Sequence, residues 1–232
     1  MYIRFALLLT LAIAFLSPPG PAQPFPAIWA LSPQSDNVSD QAFSNFTSVD
    51  NASSPAAEES VLSPEEQDGL LYMREEEKLA RDLYLAFYSR FKLPIFNNIA
   101  DSEQVHMDSV KGLLDRYGLE DPARDQRGSF ANSHLQTLYN NLSEMGNQSA
   151  QEALMAGAAV EEIDILDLES RLQDTSREDI IAVYENLLRG SRNHLRAFVM
   201  ALKQEGLTYS PRYLSQSQYD RIVRTSRERG RP

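Results

Sequence analysis

Six side chains in this sequence are of types and at spacings that could act together: Glu77, Glu103, His106, Glu161, Glu162 and His194. Steps of three and four residues follow one face of a helix. From Leu70 they meet Met73, Glu77, Ala80, Tyr84, Phe87 and Phe91, a single acid in an apolar row. From Ile99 they meet Glu103, His106, Val110, Leu113 and Tyr117, and from Leu154 they meet Ala158, Glu161, Ile165, Leu168 and Leu172, with Glu162 beside the row. A last row runs Ile180, Tyr184, Leu187, Ser191, His194, Phe198, Ala201. An ionised carboxylate buried without a partner is costly, so three carboxylates and two imidazoles on apolar faces need compensation. A divalent cation supplies it. Carboxylate oxygen and imidazole nitrogen suit Fe or Mn, and also Zn. Cysteine is absent, which removes thiolate ligands, thiol nucleophiles and disulfides.

Each residue also has a plainer reading. Glu77 would pair with Arg81, and His194 would be a core histidine bonded to Tyr84 or Tyr184. Glu75 and Glu76 read as a solvated face, His134 as a surface residue, and Tyr84 and Tyr184 as packing. Glu161 fits its apolar row and Glu162 fits a Glu-x-Asp pattern with Asp164, so the choice between them stays open.

The elements that would position these residues are all helical. Ser63-Pro64-Glu65-Glu66 combines a capping Ser, Pro at the first helical position and Glu at the third, and opens a helix to about Phe91. A second is expected from about Asn98 to Tyr117, ended by Gly118. A short third runs from Asn132 to Met145, ended by Gly146. Ser149 with Glu152 opens a fourth to about Leu172, and Ser176 with Asp179 opens a fifth to about Glu205, ended by Gly206. No segment alternates convincingly as a strand would. The helical region is thus 63–206.

The flanks differ in kind. Residues 1–22 read as an export signal, with Arg4, an apolar run from Phe5 to Leu16 and a small-x-small site at Gly20-Pro21-Ala22. Those 12 residues fall short of the roughly 20 that span a bilayer, so no membrane span is expected once the signal is removed. Residues 23–62 hold no Lys or Arg, are rich in Ser, Pro, Ala and Asn, and read as a disordered spacer. Residues 207–232 are basic, with Arg212, Arg221, Arg224, Arg227, Arg229 and Arg231, and their tyrosines and aliphatics suggest an extended strap docked on the acidic bundle. The whole chain carries a net charge of −11, which argues against nucleic acid as a partner.

Glu77-Lys-Leu-Ala80-Arg81-Asp-Leu-Tyr84 is similar to the first ligand helix of rubrerythrin-type members of the ferritin-like superfamily. More narrowly, Ser102-Glu103-Gln104-Val105-His106-Met107, Gly157-Ala-Ala-Val-Glu161-Glu162-Ile-Asp164-Ile-Leu-Asp167-Leu168, Asn186-Leu-Leu-Arg-Gly190-Ser191-Arg-Asn193-His194 and Tyr209-Ser-Pro-Arg-Tyr213-Leu resemble the family catalogued as domain of unknown function 2202. The resemblance runs from Leu62 to Val223. It implies an all-α, ferritin-like four-helix bundle with a short connecting helix and a metal site. The order Glu, Glu-x-x-His, Glu, x-x-x-His follows that of carboxylate di-metal bundles, except that Ser191 stands where a full second motif has Glu. The reading is an exported protein, secreted or periplasmic or held at the cell surface, whose di-metal or mono-metal site reacts with a small oxidant, O2 or peroxide; a homodimer is compatible with it. The alternative is a secreted helical binding module without a functional metal site.

Overall fold

The computed structural model describes residues 61–229, and among them it contains six helices and no strand. The expected signal and nearly all of the expected spacer lie outside the described residues. No described helix is long and apolar enough to cross a membrane.

Helix α1 spans Pro64–Phe91 and starts as its sequence dictates. The Ser63 hydroxyl accepts from the Glu66 backbone N–H, and the Glu66 carboxylate accepts from that of Ser63. The helix stops at Lys92, which takes a left-handed conformation at φ 57°. Helix α2 spans Pro94–Tyr117 and so begins four residues before the expected Asn98. Pro94 opens this helix: its missing N–H is no loss in a first turn, and its fixed φ suits that position. Gly118 ends α2 at φ 69°, as expected.

Helix α3 spans Ser133–Gly146, α4 Ala150–Arg171, α5 Glu178–Gln204 and α6 Gln216–Val223. Gly146 is the last residue inside α3 rather than its stop signal, and a Cβ there would overlap the Phe87 ring. Its smallness serves close packing. Ser149 caps α4, but Arg177, not Ser176, precedes α5, and no side chain caps that end.

Helix α1 packs along α2 and α4 along α5, while α1 also meets α4 and α2 meets α5. Between these four lie Leu70, Met73, Leu83, Phe87, Phe96, Leu114, Ile165, Leu187 and Phe198, each fully buried. Burial of one such side chain stabilises by about 1.5–3 kcal/mol, which holds the four helices in register around the polar groups they carry.

Two further segments close the structure. The stretch 119–132 covers one face of α1. There Arg74 pairs with Asp121 at 2.8 Å, and the Glu75 carboxylate accepts the N–H groups of Ala131 and Asn132 at 2.6 and 2.8 Å. Lys78 pairs with Asp82 at 2.6 Å, and Asp82 in turn accepts from Gly128 N–H at 2.9 Å. Glu75 is therefore buried, and Glu76 is buried beside α4, contrary to the solvated face their sequence suggests. The second segment is the C-terminal strap, which is not simply extended, because Ser215 and Gln218 cap α6 within it. It docks through buried Tyr209, Leu214, Tyr219 and Ile222. Its Glu228 pairs with Arg192 and Arg196 of α5 at 2.5 and 2.8 Å, so here the strap supplies the acid and the bundle the arginines.

Candidate metal centre

Glu103 stands at the middle of the polar cluster. Its Oε2 lies 2.7 Å from His106 Nδ1, one helical turn on, and its Oε1 lies 2.9 Å from His194 Nδ1 on α5. Glu77 of α1 approaches from one side, with Oε2 3.1 Å from His106 Nδ1. Glu161 of α4 approaches from the other, with Oε2 3.5 Å from His194 Nδ1. These donors form two triads, Glu77 with Glu103 and His106, and Glu103 with Glu161 and His194, and within each the ligand atoms lie within 4.8 Å of one another. The triads share Glu103.

The alignment of these atoms matters as much as their distances. Although Glu103 Oε1 and His194 Nδ1 are close enough for an ion pair, they are not aligned for a hydrogen bond, and both lack one; so does Glu77 Oε1. A buried lone pair without a donor is costly. A cation held within the triads would satisfy these atoms.

Burial pushes the Glu77 carboxyl up, against the pull of His106, and the Glu103 charge adds to the rise. Burial and the Glu103 charge likewise raise Glu161, against His194 and Tyr84. Burial would raise Glu103 too, but His194 and His106 overcome it and hold this carboxyl well below the usual range. Burial would lower both histidines, but Glu77 and Glu103 raise His106, and Glu103 and Glu161 raise His194. In the absence of a metal, protons on the imidazoles thus balance the carboxylates, and they would leave as a metal entered.

Neighbouring groups fix the donors. His194 Nε2 lies 3.0 Å from Ser102 Oγ, a contact that turns Nδ1 toward the carboxylates. The Tyr84 hydroxyl donates to Glu161 Oε1 at 2.5 Å, so Tyr84 is packed in the core but also holds a member of the cluster. Below Tyr84, the rings of Phe87, Phe96 and Phe198 form an apolar plug. Glu77 does not pair with Arg81, which bonds Asp82 and Gln104, and His194 does not bond Tyr84 or Tyr184. His134 is exposed, as expected.

A family model described as an uncharacterized protein domain, DUF2202, matches residues 66–226. The chain belongs to the DUF2202 family. An uncharacterized protein of Methanocaldococcus jannaschii, MJ0754, is 52% identical over 170 residues, which cover 73% of this chain and 92% of that protein. The crystal structure of hypothetical protein MJ0754 from Methanococcus jannaschii is similar with a TM-score of 0.71 at 51% identity, covering 72% of this chain and 97% of that one.

In this DUF2202 chain the structure brings together five of the six side chains picked out by spacing, and Glu162 is the exception. Its Oε2 accepts the backbone N–H groups of Arg212, Tyr213 and Leu214 at 2.8, 2.6 and 3.0 Å, so it holds the strap. Two further buried acids, not among the six candidates, lie near the cluster. Asp164 is hydrogen-bonded to the Ser191 hydroxyl, and Glu76 faces Asp167 and Asp164, so that burial and their charges raise its carboxyl well above the usual range. A usable signal was present: from Ala153 to Val160 α4 is apolar all round, and such a stretch is buried on every side.

Proposed function

We propose that this chain is a ferritin-like four-helix bundle whose centre binds one or two divalent ions, Fe or Mn with Zn as a lesser fit, and reacts with O2 or peroxide. The observation that carries this reading is the pair of triads sharing Glu103, with buried lone pairs that find no donor. Glu77 and His106 would hold an ion on one side, Glu161 and His194 on the other, with Glu103 between. When bound, the metal would supply Lewis acidity, and in Fe or Mn a change of oxidation state, toward a small oxidant. The residues of the chain do the rest. Ser102 and Tyr84 hold His194 and Glu161 in position, and the phenyl rings beneath keep that end of the site dry. The signal read in residues 1–22 supports an exported protein, secreted or periplasmic or retained at the cell surface.

The reading is tested by loading the full chain with Fe(II) or Mn(II) without oxygen, adding O2 or peroxide, and following oxidant consumption. Substitution of both Glu103→Ala and His106→Ala should abolish consumption while circular dichroism stays helical. Equal consumption by the parent and the variant would rule the reading out and leave the helical binding module as the better account.

A further inference from the structure

Ser191 stands on α5 one turn before His194, the place that Glu103 holds before His106 on α2. A hydroxyl cannot supply the charge of a carboxylate, yet the centre is not short of carboxylates. Asp164 lies on α4 one turn after Glu161, so the two acids share a helix face. Asp164 is 5% exposed, its Oδ2 is hydrogen-bonded to Ser191 Oγ, and its Oδ1 has no partner. Ser191 Oγ is also 2.9 Å from the Leu187 carbonyl, and its single proton can satisfy only one of these two acceptors. Asp164 thus brings a carboxylate to the Ser191 position, with one oxygen still unpartnered. The charges that bear on it come from Glu77 in one triad and Glu161 in the other, and from Glu103, which belongs to both.

Asp164 belongs to neither triad, but it is buried beside Ser191, and counting it would give the centre four carboxylates and two imidazoles, the inventory of a carboxylate di-metal bundle, with the fourth carboxylate delivered by α4 instead of α5. We propose that Asp164 is a metal ligand shared between the two triads, taking the place that Ser191 leaves, so that the centre binds two divalent ions per chain. Ser191 is then a positioning residue whose hydroxyl fixes the carboxylate. The inference rests on the metal reading above.

The test counts Mn(II) retained by the metal-stripped full chain after reloading and desalting, by plasma mass spectrometry, with circular dichroism as the control for folding. The parent should retain about two ions, Asp164→Asn about one, and Asp164→Asn combined with Ser191→Glu about two again, because the carboxylate returns from α5. Two ions retained by Asp164→Asn, or only one by the parent, would overturn the role of Asp164 and leave the metal reading standing. No ion retained by the parent would overturn both. Ser191 is buried, so the longer Glu side chain could impair folding of the double variant; Asn is nearly isosteric with Asp, and the single variant then decides alone.

Discussion

Gly190 lies against the edge of the His106 imidazole: a Cβ at this position would fall 2.5 Å from its Cε1 and 2.6 Å from its Nε2. The ring has little room to yield, because its other nitrogen is held between Glu77 and Glu103. Gly190→Ala should therefore displace the His106 ring from its seat against the carboxylates and weaken Mn(II) binding by about tenfold or more, as loss of a ligand's support does elsewhere. The helix itself should gain, since Ala is favoured over Gly by about 1 kcal/mol within a helix. Metal titration alongside circular dichroism checks both signs; unchanged affinity would mean that His106 is not held where a metal needs it.

Glu162 and Glu161 are adjacent in sequence and differ in task. Glu162→Ala would leave three backbone N–H groups of the strap without an acceptor, at a cost of about 1–3 kcal/mol for each that stays buried. The expected outcome is faster amide exchange and proteolysis across 207–229, with metal content as in the parent. Glu161→Ala should do the reverse.

Gly146→Ala should lower the melting temperature, because the added methyl meets the Phe87 ring in a core with no slack, and overpacking of this kind costs about 1–3 kcal/mol. Phe87→Leu in the same chain should recover part of the loss. A thermal melt of the two variants against the parent decides it.

The strap should also loosen in acid. Hydrogen bonding from Arg192, followed by that from Arg196, outweighs burial and lowers the Glu228 carboxyl from its ordinary 4.5 to about 2. A carboxyl lowered on folding stabilises fully above its unfolded value and loses that contribution as pH falls toward its folded one. The advantage of the parent over Glu228→Gln in amide exchange of the strap should be full at neutral pH and fade between about 4.5 and 2. A constant advantage across that range would show that the charge of Glu228 is not what holds the strap.

Much of this architecture is legible in the sequence because single helices announce themselves. The Ser63 capping box, the stops at Gly118 and Gly206, and the rows that carry Glu77, Glu103, His106 and His194 all depend on neighbours within a turn or two. What depends on distant segments was not legible. Glu75 and Glu76 look like a solvated face until the stretch 119–132 folds over Glu75 and α4 packs near Glu76. On α4 the residues from Ala156 to Glu162 are all buried, so spacing could not say whether Glu161 or Glu162 faced the centre, and it offered Asp164 only as the partner of Glu162 in a Glu-x-Asp pattern. Gly146 looked like a helix stop because its contact with Phe87 joins positions far apart in the chain.

The central claim, that the donors around Glu103 form a metal site, is tested most directly by the metal content of the full chain purified without chelator, measured for Fe, Mn and Zn by plasma mass spectrometry. The account predicts about one or two equivalents of Fe or Mn, absent from the Glu103→Ala variant that keeps its helices. A folded parent chain that carries no metal and cannot be loaded with any would contradict it.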